Sequence, residues 1–452
     1  MNLREIFNDK KKLAIIVVSG LLIILLVTLA IILLINNSKK TTTTGSTPKT
    51  NKGTLVYWGL WEPASVMTPL IEEFENANPG VKIQYSQQTF TGYDSRIYTR
   101  LQQTSTSSEP APDIFRIHNT WLPRYRQYLS TLPSAIMSPA EYAKIFYPTA
   151  IKDFTGKDNN IYAIPLEIDG LMVFYNKQLL KSASIEEPPQ DWDSFIESAR
   201  KMTKKDSSGK ITQSGLALGT SRNIKHSAEI LSFLLIQEGA DIIDSTRTKV
   251  ALNNTKAIGV FETYTNFAIG KEAVWSSTLM SDLDMFYSGK LAMMIAPSWR
   301  AFDIIQSAPT IEFGTAPLPQ LKANENEIYY ATYWGDAVNK NSANTELAWK
   351  FIKFLSEKEQ QMRMYSNSSK IRAFGEPYSL VELNKEMKGK TYVDAIAQMA
   401  PYMKAWQMGD ESFVNSTFNE AITKIVENKE SVSNVLRDAE NAINTKLAQT
   451  NK

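Results

Sequence analysis

Apolar and polar positions between residues 54 and 85 alternate in a way that predicts a strand, a helix and a second strand. Leu55–Trp58 is a short apolar and aromatic run of the kind found in buried strands. The next apolar positions recur at helical spacing, at Val66, Leu70, Ile71 and Phe74. Asn78-Pro79-Gly80 ends this helix, because the ring of Pro79 cannot continue it, and Val81–Tyr85 follows as the second strand.

A right-handed crossover makes the two strands of this unit parallel, so the loop Gly59–Pro63 is expected at the carboxyl edge of the sheet. Open α/β sheets bind ligands at that edge. The unit therefore predicts both an α/β fold and the place where a ligand site should be sought.

The remaining chain continues to alternate short strands with helices. Further strands are predicted at Asp113–Ile117, Tyr162–Leu166, Leu171–Tyr175, Leu291–Ala296, Phe313–Leu318 and Tyr329–Val338. Helices are predicted at Tyr98–Gln103, after Asp191, and at Ala228–Glu238, Lys256–Ala268, Asp282–Ser288 and Thr345–Tyr365, with two more within Phe413–Leu447. This order indicates an α/β protein without an internal repeat.

A membrane helix is predicted at Leu13–Ile35, which holds 23 residues without a charge. At about 1.5 Å per residue this run spans a hydrocarbon core of ~30 Å. A buried core helix would carry a polar stripe, and a cleaved signal peptide would have a shorter apolar core of about 7 to 15 residues followed by a small-x-small site. No clear site of that kind follows, so we expect an uncleaved anchor.

The orientation of this anchor is less well determined by charge. Arg4 and Lys10–Lys12 precede the apolar run, and the lysines that follow it are Lys39, Lys40, Lys49 and Lys52. The numbers of positive charges on the two sides are nearly equal, so the positive-inside rule hardly distinguishes the two orientations. The cluster Lys10–Lys12 lies next to the run and slightly favours a cytoplasmic N-terminus. The polar segment Thr41–Lys52 cannot bury a core and is expected to be a tether.

Composition narrows the function classes. A chain of 452 residues exceeds one ordinary domain, so we expect two domains or two lobes around a cleft. A net charge of +2 gives no indication of nucleic-acid binding. The absence of cysteine excludes disulfides, thiol nucleophiles and a lipid-modified cysteine, and only His118 and His226 remain for metal or triad chemistry. The sequence contains no P-loop, H-E-x-x-H or G-x-S-x-G motif. No cofactor and no metal are expected.

Five segments resemble a known family and occur in its order. They are the first strand–helix–strand unit, PAPDIFRIHNTWL from Pro110, YAIPLEIDGLMVFYNKQLL from Tyr162, PPQDWDSFIESARKMT from Pro188 and FYSGKLAMMIAPSW from Phe286. From about Lys52 to Leu447 the chain resembles the bacterial extracellular solute-binding proteins of the sugar-binding family, with maltose-binding-protein-like architecture. The resemblance implies a two-lobed, venus-flytrap fold of type II whose chain crosses between lobes near Glu167, Thr315 and Pro377.

These expectations divide the chain into seven segments. They are a cytoplasmic tail at 1–12, the membrane helix at 13–35, a polar linker at 36–52, the first lobe at 53–167 and 316–376, and the second lobe at 168–315 and 377–452.

The resemblance also implies a function. Members deliver a solute, usually a sugar or oligosaccharide, to an ABC permease and perform no chemistry on it. The expected partners are therefore a carbohydrate solute, ABC permease subunits and the cytoplasmic membrane, which residues 13–35 contact, with the globular part extracytoplasmic. Many relatives carry a lipidated cysteine, and here the membrane helix is expected to replace it. A ligand-sensing or adaptor domain and a tethered glycoside hydrolase that uses Glu167 and Asp169 remain as alternatives.

Candidate ligand-binding residues combine aromatic rings with short hydrogen-bonding groups, which suits the apolar faces and hydroxyls of sugars. Most belong to pairs that follow predicted strands. The candidates are Trp61, Glu62, His118, Asn119, Glu167, Asp169, Ser298, Trp299, Tyr333, Trp334 and Trp406. The family motifs place binding residues at the positions that match Glu62, Asn119, Asp169 and Trp299. Glu62 is also suited to the first turn of the following helix, and the register of the segment around Trp406 is not fixed by the pattern.

Overall fold

Two five-stranded sheets organise the part of the chain that the computed structural model describes, which is residues 52–103, 111–240, 242–244, 248–321 and 327–450. The predicted membrane helix, Leu13–Ile35, lies outside these residues. Within them, every helix is too short or too polar to cross a membrane.

The strands agree closely with the predicted ones and add three that the sequence pattern did not predict, at Lys204–Lys205, Ile211–Leu216 and Met403–Lys404. They are β1 Gly53–Gly59, β2 Val81–Gln87, β3 Ile114–His118, β4 Ala163–Pro165, β5 Leu171–Asn176, β6 Lys204–Lys205, β7 Ile211–Leu216, β8 Leu291–Pro297, β9 Phe313–Ala316, β10 Tyr329–Tyr330, β11 Trp334–Val338 and β12 Met403–Lys404.

The helices lie between these strands and at the C-terminus. They are α1 Ala64–Ala77, α2 Tyr93–Gln102, α3 Leu122–Tyr125, α4 Pro139–Ile145, α5 Pro148–Phe154, α6 Lys177–Ser182, α7 Trp192–Met202, α8 Ser227–Gln237, α9 Thr255–Asn266, α10 Asp282–Tyr287, α11 Arg300–Ser307, α12 Thr345–Leu355, α13 Lys358–Ser368, α14 Asn384–Met387, α15 Asp394–Met399, α16 Glu411–Val426 and α17 Val432–Thr450. Short 3-10 turns occupy Arg126–Tyr128, Val381–Leu383 and Ala400–Tyr402.

The first sheet has the order β2-β1-β3-β11-β4 and forms what we call the first lobe with the helices that cover it. β1 is parallel to β2 and to β3, as the strand–helix–strand pattern predicts. β11 runs antiparallel to β3, so the start of β11 lies at the same edge as the end of β3. That edge therefore collects residues from two strand ends and one strand start.

The second sheet has the order β6-β7-β8-β5-β9 and forms the second lobe with its helices. Its central strands are fully buried, as their continuous apolar sequences predict. α7 begins at Asp191, whose carboxylate accepts a hydrogen bond of 2.9 Å from the Ser194 amide. This cap satisfies an amide that the helix itself cannot, which explains why the helix begins there.

Three segments connect the lobes within the described residues and lie beside one another. The first, Leu166–Gly170, joins β4 to β5; the second, Tyr329–Tyr333, leads into β11; and the third, Met403–Asp410, leads into α16. β10 pairs in parallel with β12, and Gly170 forms a bridge to Ala331. A Cβ atom at Gly170 would overlap the Tyr330 carbonyl oxygen, so the close approach of these segments requires glycine there.

The second and third crossings lie later in the chain than the expected positions near Thr315 and Pro377. Thr315 belongs to β9 and pairs with Phe174 in the second sheet. After Pro377, the Ser379 hydroxyl donates to the Pro165 carbonyl at 2.8 Å, and Leu380 forms a bridge to Phe146. These contacts hold the start of this segment against the first lobe, and further along it the Tyr392 ring stacks on Phe313 of the second sheet, with 5.0 Å between the ring centroids.

Two predicted elements are each divided in the structure. The helix expected over Thr345–Tyr365 is interrupted at Ser356, where α12 ends, and α13 begins after Glu357. The strand expected over Tyr329–Val338 becomes β10 and β11, because the residues between them form part of the second crossing segment. Tyr333 therefore precedes a strand and Trp334 begins it, whereas the predicted strand Tyr329–Val338 contains both.

Candidate functional site

One edge of the first sheet carries many of the predicted site residues. Trp61 and Glu62 follow β1, His118 is the last residue of β3, and Trp334 is the first residue of β11. Trp334 pairs directly with His118 in the antiparallel ladder. The sheet topology alone thus brings together side chains that are up to 273 positions apart in the chain (334 − 61).

Six rings form an aromatic cluster at this edge, with Trp334 at its centre. Its members are Trp61, Phe90, Tyr93, His118, Trp121 and Trp334. The other five ring centroids lie between 5.1 and 6.1 Å from that of Trp334. Phe90 is 58% exposed, and Trp61 and Trp334 are half-buried. Exposed flat rings of this kind suit the apolar faces of sugar rings.

His118 connects this cluster to the second lobe. Its Nδ1 lies 2.9 Å from the Thr120 hydroxyl and 3.0 Å from the Glu411 carboxylate, and its Nε2 lies 3.0 Å from the Thr332 hydroxyl. Trp121 donates its indole N–H to the same Glu411 oxygen at 2.8 Å. Burial would raise the pKa of Glu411, but the effects of His118 and the hydrogen bonds with Trp121 and Asn415 together outweigh it and lower that pKa. Glu411 is therefore held as a carboxylate beside the aromatic cluster.

Behind the aromatic cluster lies a buried group of charged side chains that we call the ionic network. It consists of Glu62, Arg116, Glu167, Asp336, Arg372 and Glu376. Arg116 is its centre, with Nη2 at 3.1 Å from Glu62, Nε at 3.6 Å from Asp336 and Nη1 at 3.9 Å from Glu167. Arg372 lies 2.7 Å from Glu376. Glu62 is only 1% exposed, so its carboxylate faces Arg116 inside the protein.

The titration of this network follows from its charges. Burial raises the pKa of Glu167 well above its usual range, and the Glu376 carboxylate raises it further. Burial would also raise the pKa of Glu376, but the Arg372 guanidinium, a hydrogen bond with Glu167 and the Arg116 charge together outweigh it and lower that pKa. These opposite pKa shifts favour Glu167 as the donor and Glu376 as the acceptor of the hydrogen bond between them. Burial raises the pKa of Asp336 to about 6, against the opposing effect of Arg116.

Three carboxyl groups in this network have the spacing of a metal site. Oxygens of Glu62, Glu167 and Glu376 all lie within 4.8 Å of one another. The guanidinium groups of Arg116 and Arg372 already supply the positive charge that a metal ion would bring. The donor set therefore fits an internal ion-pair network better than a cation site.

Asp169 lies in the first crossing segment and joins it to the second lobe. Its Oδ1 accepts from the Gly170 amide at 2.8 Å and from the Ser298 amide at 3.4 Å. Burial raises its pKa to about 8, and these backbone hydrogen bonds only partly oppose that change. Both Asp169 and Ser298 are buried in this structure. The pair Glu167 and Asp169, considered as glycosidase carboxylates, is therefore engaged in internal contacts.

Trp299, between β8 and α11, is an exposed aromatic residue of the second lobe. Its side chain is 41% exposed. The Arg300 guanidinium carbon lies 4.1 Å from the Trp299 ring centroid, and the His226 ring meets it edge-on at 5.8 Å. Trp299 thus supplies the second lobe with an exposed ring in a defined setting.

The remaining predicted residues are buried and hydrogen-bonded. Asn119 and Tyr333 both donate to Oδ2 of Asp153, at 2.9 and 3.0 Å. Trp406 donates its indole N–H to the Ser232 hydroxyl at 3.2 Å. In this structure these side chains hold the crossing segments and helices in place, and their role as solute contacts stays a prediction.

Sequence reasoning missed four residues of the site. Phe90 lies in a turn after β2, and Glu411 begins a helix far along the chain, so neither follows a strand. Arg116 was missed because it is a single charged residue within a strand. Arg300 was missed because only its neighbour Trp299 was considered as a binding residue. A signal for Arg116 was nevertheless available. It is a charged residue among apolar neighbours in β3, and a charge buried in such a strand is expected to have an oppositely charged partner.

Comparisons with known proteins were consistent with one another. The family profile of bacterial extracellular solute-binding proteins matches residues 59–362. A putative binding protein of Brucella abortus is 24% identical over 381 residues, which is 82% of this chain and 88% of that protein. The maltodextrin-binding protein of Bacillus subtilis is 26% identical over 227 residues, which is 48% of this chain and 51% of that protein.

Solved structures share the fold. An ABC substrate-binding protein from Listeria monocytogenes in complex with cycloalternan superposes with a TM-score of 0.69 at 20% identity, covering 88% of this chain and 99% of that one. The cyclic alpha-maltosyl-1,6-maltose binding protein from Arthrobacter globiformis gives a TM-score of 0.71 at 17% identity, covering 88% and 100%. These similarities confirm the predicted two-lobed α/β architecture.

Proposed function

Because this chain belongs to the bacterial extracellular solute-binding protein family, we propose that it captures a sugar or oligosaccharide between its two lobes and delivers it to an ABC permease. The observation that carries the proposal is the placement of exposed aromatic rings on both lobes. The aromatic cluster around Trp334 belongs to the first lobe, and Trp299 belongs to the second.

The chemistry of these surfaces favours a neutral, hydroxyl-rich solute. Phe90, Trp61 and Trp334 offer apolar faces, and the half-buried Glu411 and Thr332 lie beside them with hydrogen-bonding oxygens. Sugar rings combine apolar C–H faces with hydroxyl edges and match this pairing. The names of several relatives and structures support the same solute class. They include a maltodextrin-binding protein, a maltooligosaccharide ABC transporter solute-binding lipoprotein and a cyclo/maltodextrin-binding protein complexed with maltotetraose.

The capture mechanism follows from the three crossing segments. A solute that touches both lobes binds the closed arrangement more tightly than the open one, so it shifts the population toward closure. The crossing segments are paired with one another by β10, β12 and the Gly170–Ala331 bridge, which gives the lobes a common axis for such a movement. The protein performs no reaction on the solute in this account.

We further propose that residues 13–35 anchor the protein in the cytoplasmic membrane, with the globular part extracytoplasmic. The support is the uncharged 23-residue run and the absence of cysteine, which excludes a lipid-modified cysteine. Mass spectrometry of the membrane fraction tests this proposal. A mature N-terminus near Ser38 would show that the run is a removed signal peptide.

A thermal-shift screen tests the solute class. The panel should contain monosaccharides, linear and cyclic oligosaccharides and, as controls, amino acids and short peptides. A solute that binds only the folded protein stabilises it by about 2.7 kcal/mol at 100 times its Kd. We expect a raised melting temperature with one or more oligosaccharides. Stabilisation by a peptide or an amino acid alone would contradict the proposal.

A further inference from the structure

The ring of Trp299 is constrained on two sides by neighbouring residues. The Arg300 guanidinium carbon lies 4.1 Å from the ring centroid, which is stacking distance for a cation over an indole face. The His226 ring approaches the indole edge-on, with 5.8 Å between centroids and an interplanar angle of 76°. One face of the indole is thereby covered, and the 41% of the side chain that is exposed must come from the rest of the ring.

Arg300 and His226 are themselves fixed by hydrogen bonds. Arg300 Nε donates to His226 Nε2 at 3.2 Å, and Arg300 Nη1 donates to the Asp303 carboxylate at 2.6 Å. The other imidazole nitrogen, Nδ1, contacts the Glu229 carboxylate. Both Arg300 and His226 are buried although each carries a polar head.

These partners determine the imidazole tautomer. An arginine Nε is a donor only, so Nε2 of His226 must be the unprotonated nitrogen that accepts. A carboxylate is an acceptor only, so Nδ1 carries the hydrogen that is donated to Glu229. The neutral Nδ1–H form of His226 is therefore the form that holds Arg300 over the indole.

We propose that Arg300 and His226 are positioning residues that fix the Trp299 ring and leave one face of it for the solute. Neither residue needs to contact the solute itself. The guanidinium covers one face of the Trp299 ring, so a solute can stack only on the opposite face. The use of this ring face for stacking a sugar rests on the proposed function. The positioning of the ring by Arg300 and His226 is a property of the protein without solute.

Fluorine NMR on protein labelled with 5-fluorotryptophan tests this directly. The chain contains nine tryptophans, and the Trp299→Phe variant assigns the resonance of Trp299 by its disappearance. The spectra are taken on the whole protein without added sugar. Because the chain has only two histidines, His118 and His226, the variants His226→Leu and His118→Leu form a matched pair. Leucine fills much of the space of an imidazole but cannot accept a hydrogen bond from Arg300.

We expect the Trp299 resonance to move in His226→Leu, where Arg300 loses its acceptor, and to stay in place in His118→Leu. In Arg300→Lys, which keeps the charge but loses the planar guanidinium, the resonance should move toward that of free 5-fluorotryptophan. An unchanged resonance in His226→Leu or in Arg300→Lys would overturn the positioning roles. Because no sugar is present, that outcome would leave the proposed function standing, and a failed sugar screen would leave this inference standing.

Discussion

The imidazole of His118 lies 3.0 Å from the Glu411 carboxylate, and this contact joins the last residue of β3 to the first turn of α16. β3 belongs to the first lobe. α16 packs against α8 of the second lobe and is tied to it where the Ser227 hydroxyl donates to Asn419 at 2.7 Å. A charged interaction between the lobes thus lies next to the crossing segments and the aromatic cluster.

The first prediction concerns this contact and acid. The pKa of Glu411 is lowered in the folded protein, so its contribution to stability is present above the unfolded value of about 4.3 and is lost as pH falls through the folded pKa. Glu411→Gln should cost about 1–2 kcal/mol at pH 7 and should flatten the loss of stability below about pH 4. Denaturant unfolding at several pH values measures both. Glu420→Gln, on the exposed face of the same helix, is the control and should change neither.

The second prediction concerns Asp169, whose folded pKa is raised to about 8. The unfolded carboxyl titrates near 3.9, so between about pH 4 and 8 the folded state binds the extra proton and stability falls as pH rises. Asp169→Asn keeps the acceptor for Gly170 and removes the titration. We expect the variant to be more stable than the unaltered protein at pH 8, by on the order of 2–5 kcal/mol, and nearly equal at pH 4. Equal slopes in both proteins over this range would refute the assignment.

The third prediction concerns the ionic network. Arg116→Met should cost about 3–5 kcal/mol, because it leaves buried carboxylates without their central positive charge. Adding Glu62→Gln to it removes one of those charges and should recover part of the loss. Melting temperatures of the single and double variants measure the recovery, with the exposed Arg437→Met as the control. A double variant that is less stable than Arg116→Met would mean that Glu62 has another partner.

How far the fold could be predicted depends on how local its determinants are. The β1–α1–β2 unit follows from apolar spacing and from Pro79, both of which act within a few residues. The break between α12 and α13 was missed because Ser356 and Glu357 are compatible with a continuing helix, and only tertiary packing decides. The third crossing was placed too early for the same reason, since contacts such as Ser379 with Pro165 join distant parts of the chain.

Three of the tryptophans proposed as platforms, Trp61, Trp299 and Trp334, are partly exposed. Their contact with a solute stays a prediction. Sequence alone could not distinguish Trp299 from the buried Trp406, because exposure depends on what packs over each ring. Nor could it show that Glu62 would face Arg116, since that pairing joins a loop to a strand through the fold.

The fourth prediction concerns the platform of the second lobe. Trp299→Ala removes an exposed ring of the class whose loss at binding hot spots costs ~2 kcal/mol or more, so affinity for a sugar found by thermal shift should fall roughly 30-fold. The melting temperature of the protein without sugar should change little, because the ring is 41% exposed. Ile269→Ala, another exposed apolar residue of the second lobe, is the control for calorimetric titration. A large drop in melting temperature with unchanged affinity would reassign Trp299 to the core.

We propose that the solute draws the two lobes together. Because the chain has no cysteine, spin labels attach only to cysteines that are introduced for the measurement. Spin labels at Ser65→Cys in α1 and Gln306→Cys in α11 lie on the helices that follow Glu62 and Trp299, and both positions are exposed. A control pair at Ser65→Cys and Glu359→Cys lies within the first lobe, where α13 packs on α1.

Pulsed electron spin resonance then measures each distance with and without a saturating oligosaccharide whose binding calorimetry has established. We expect the distance between Ser65→Cys and Gln306→Cys to shorten on binding while the control distance stays constant. An interlobe distance that is the same with the sugar bound as without it would contradict capture by lobe closure.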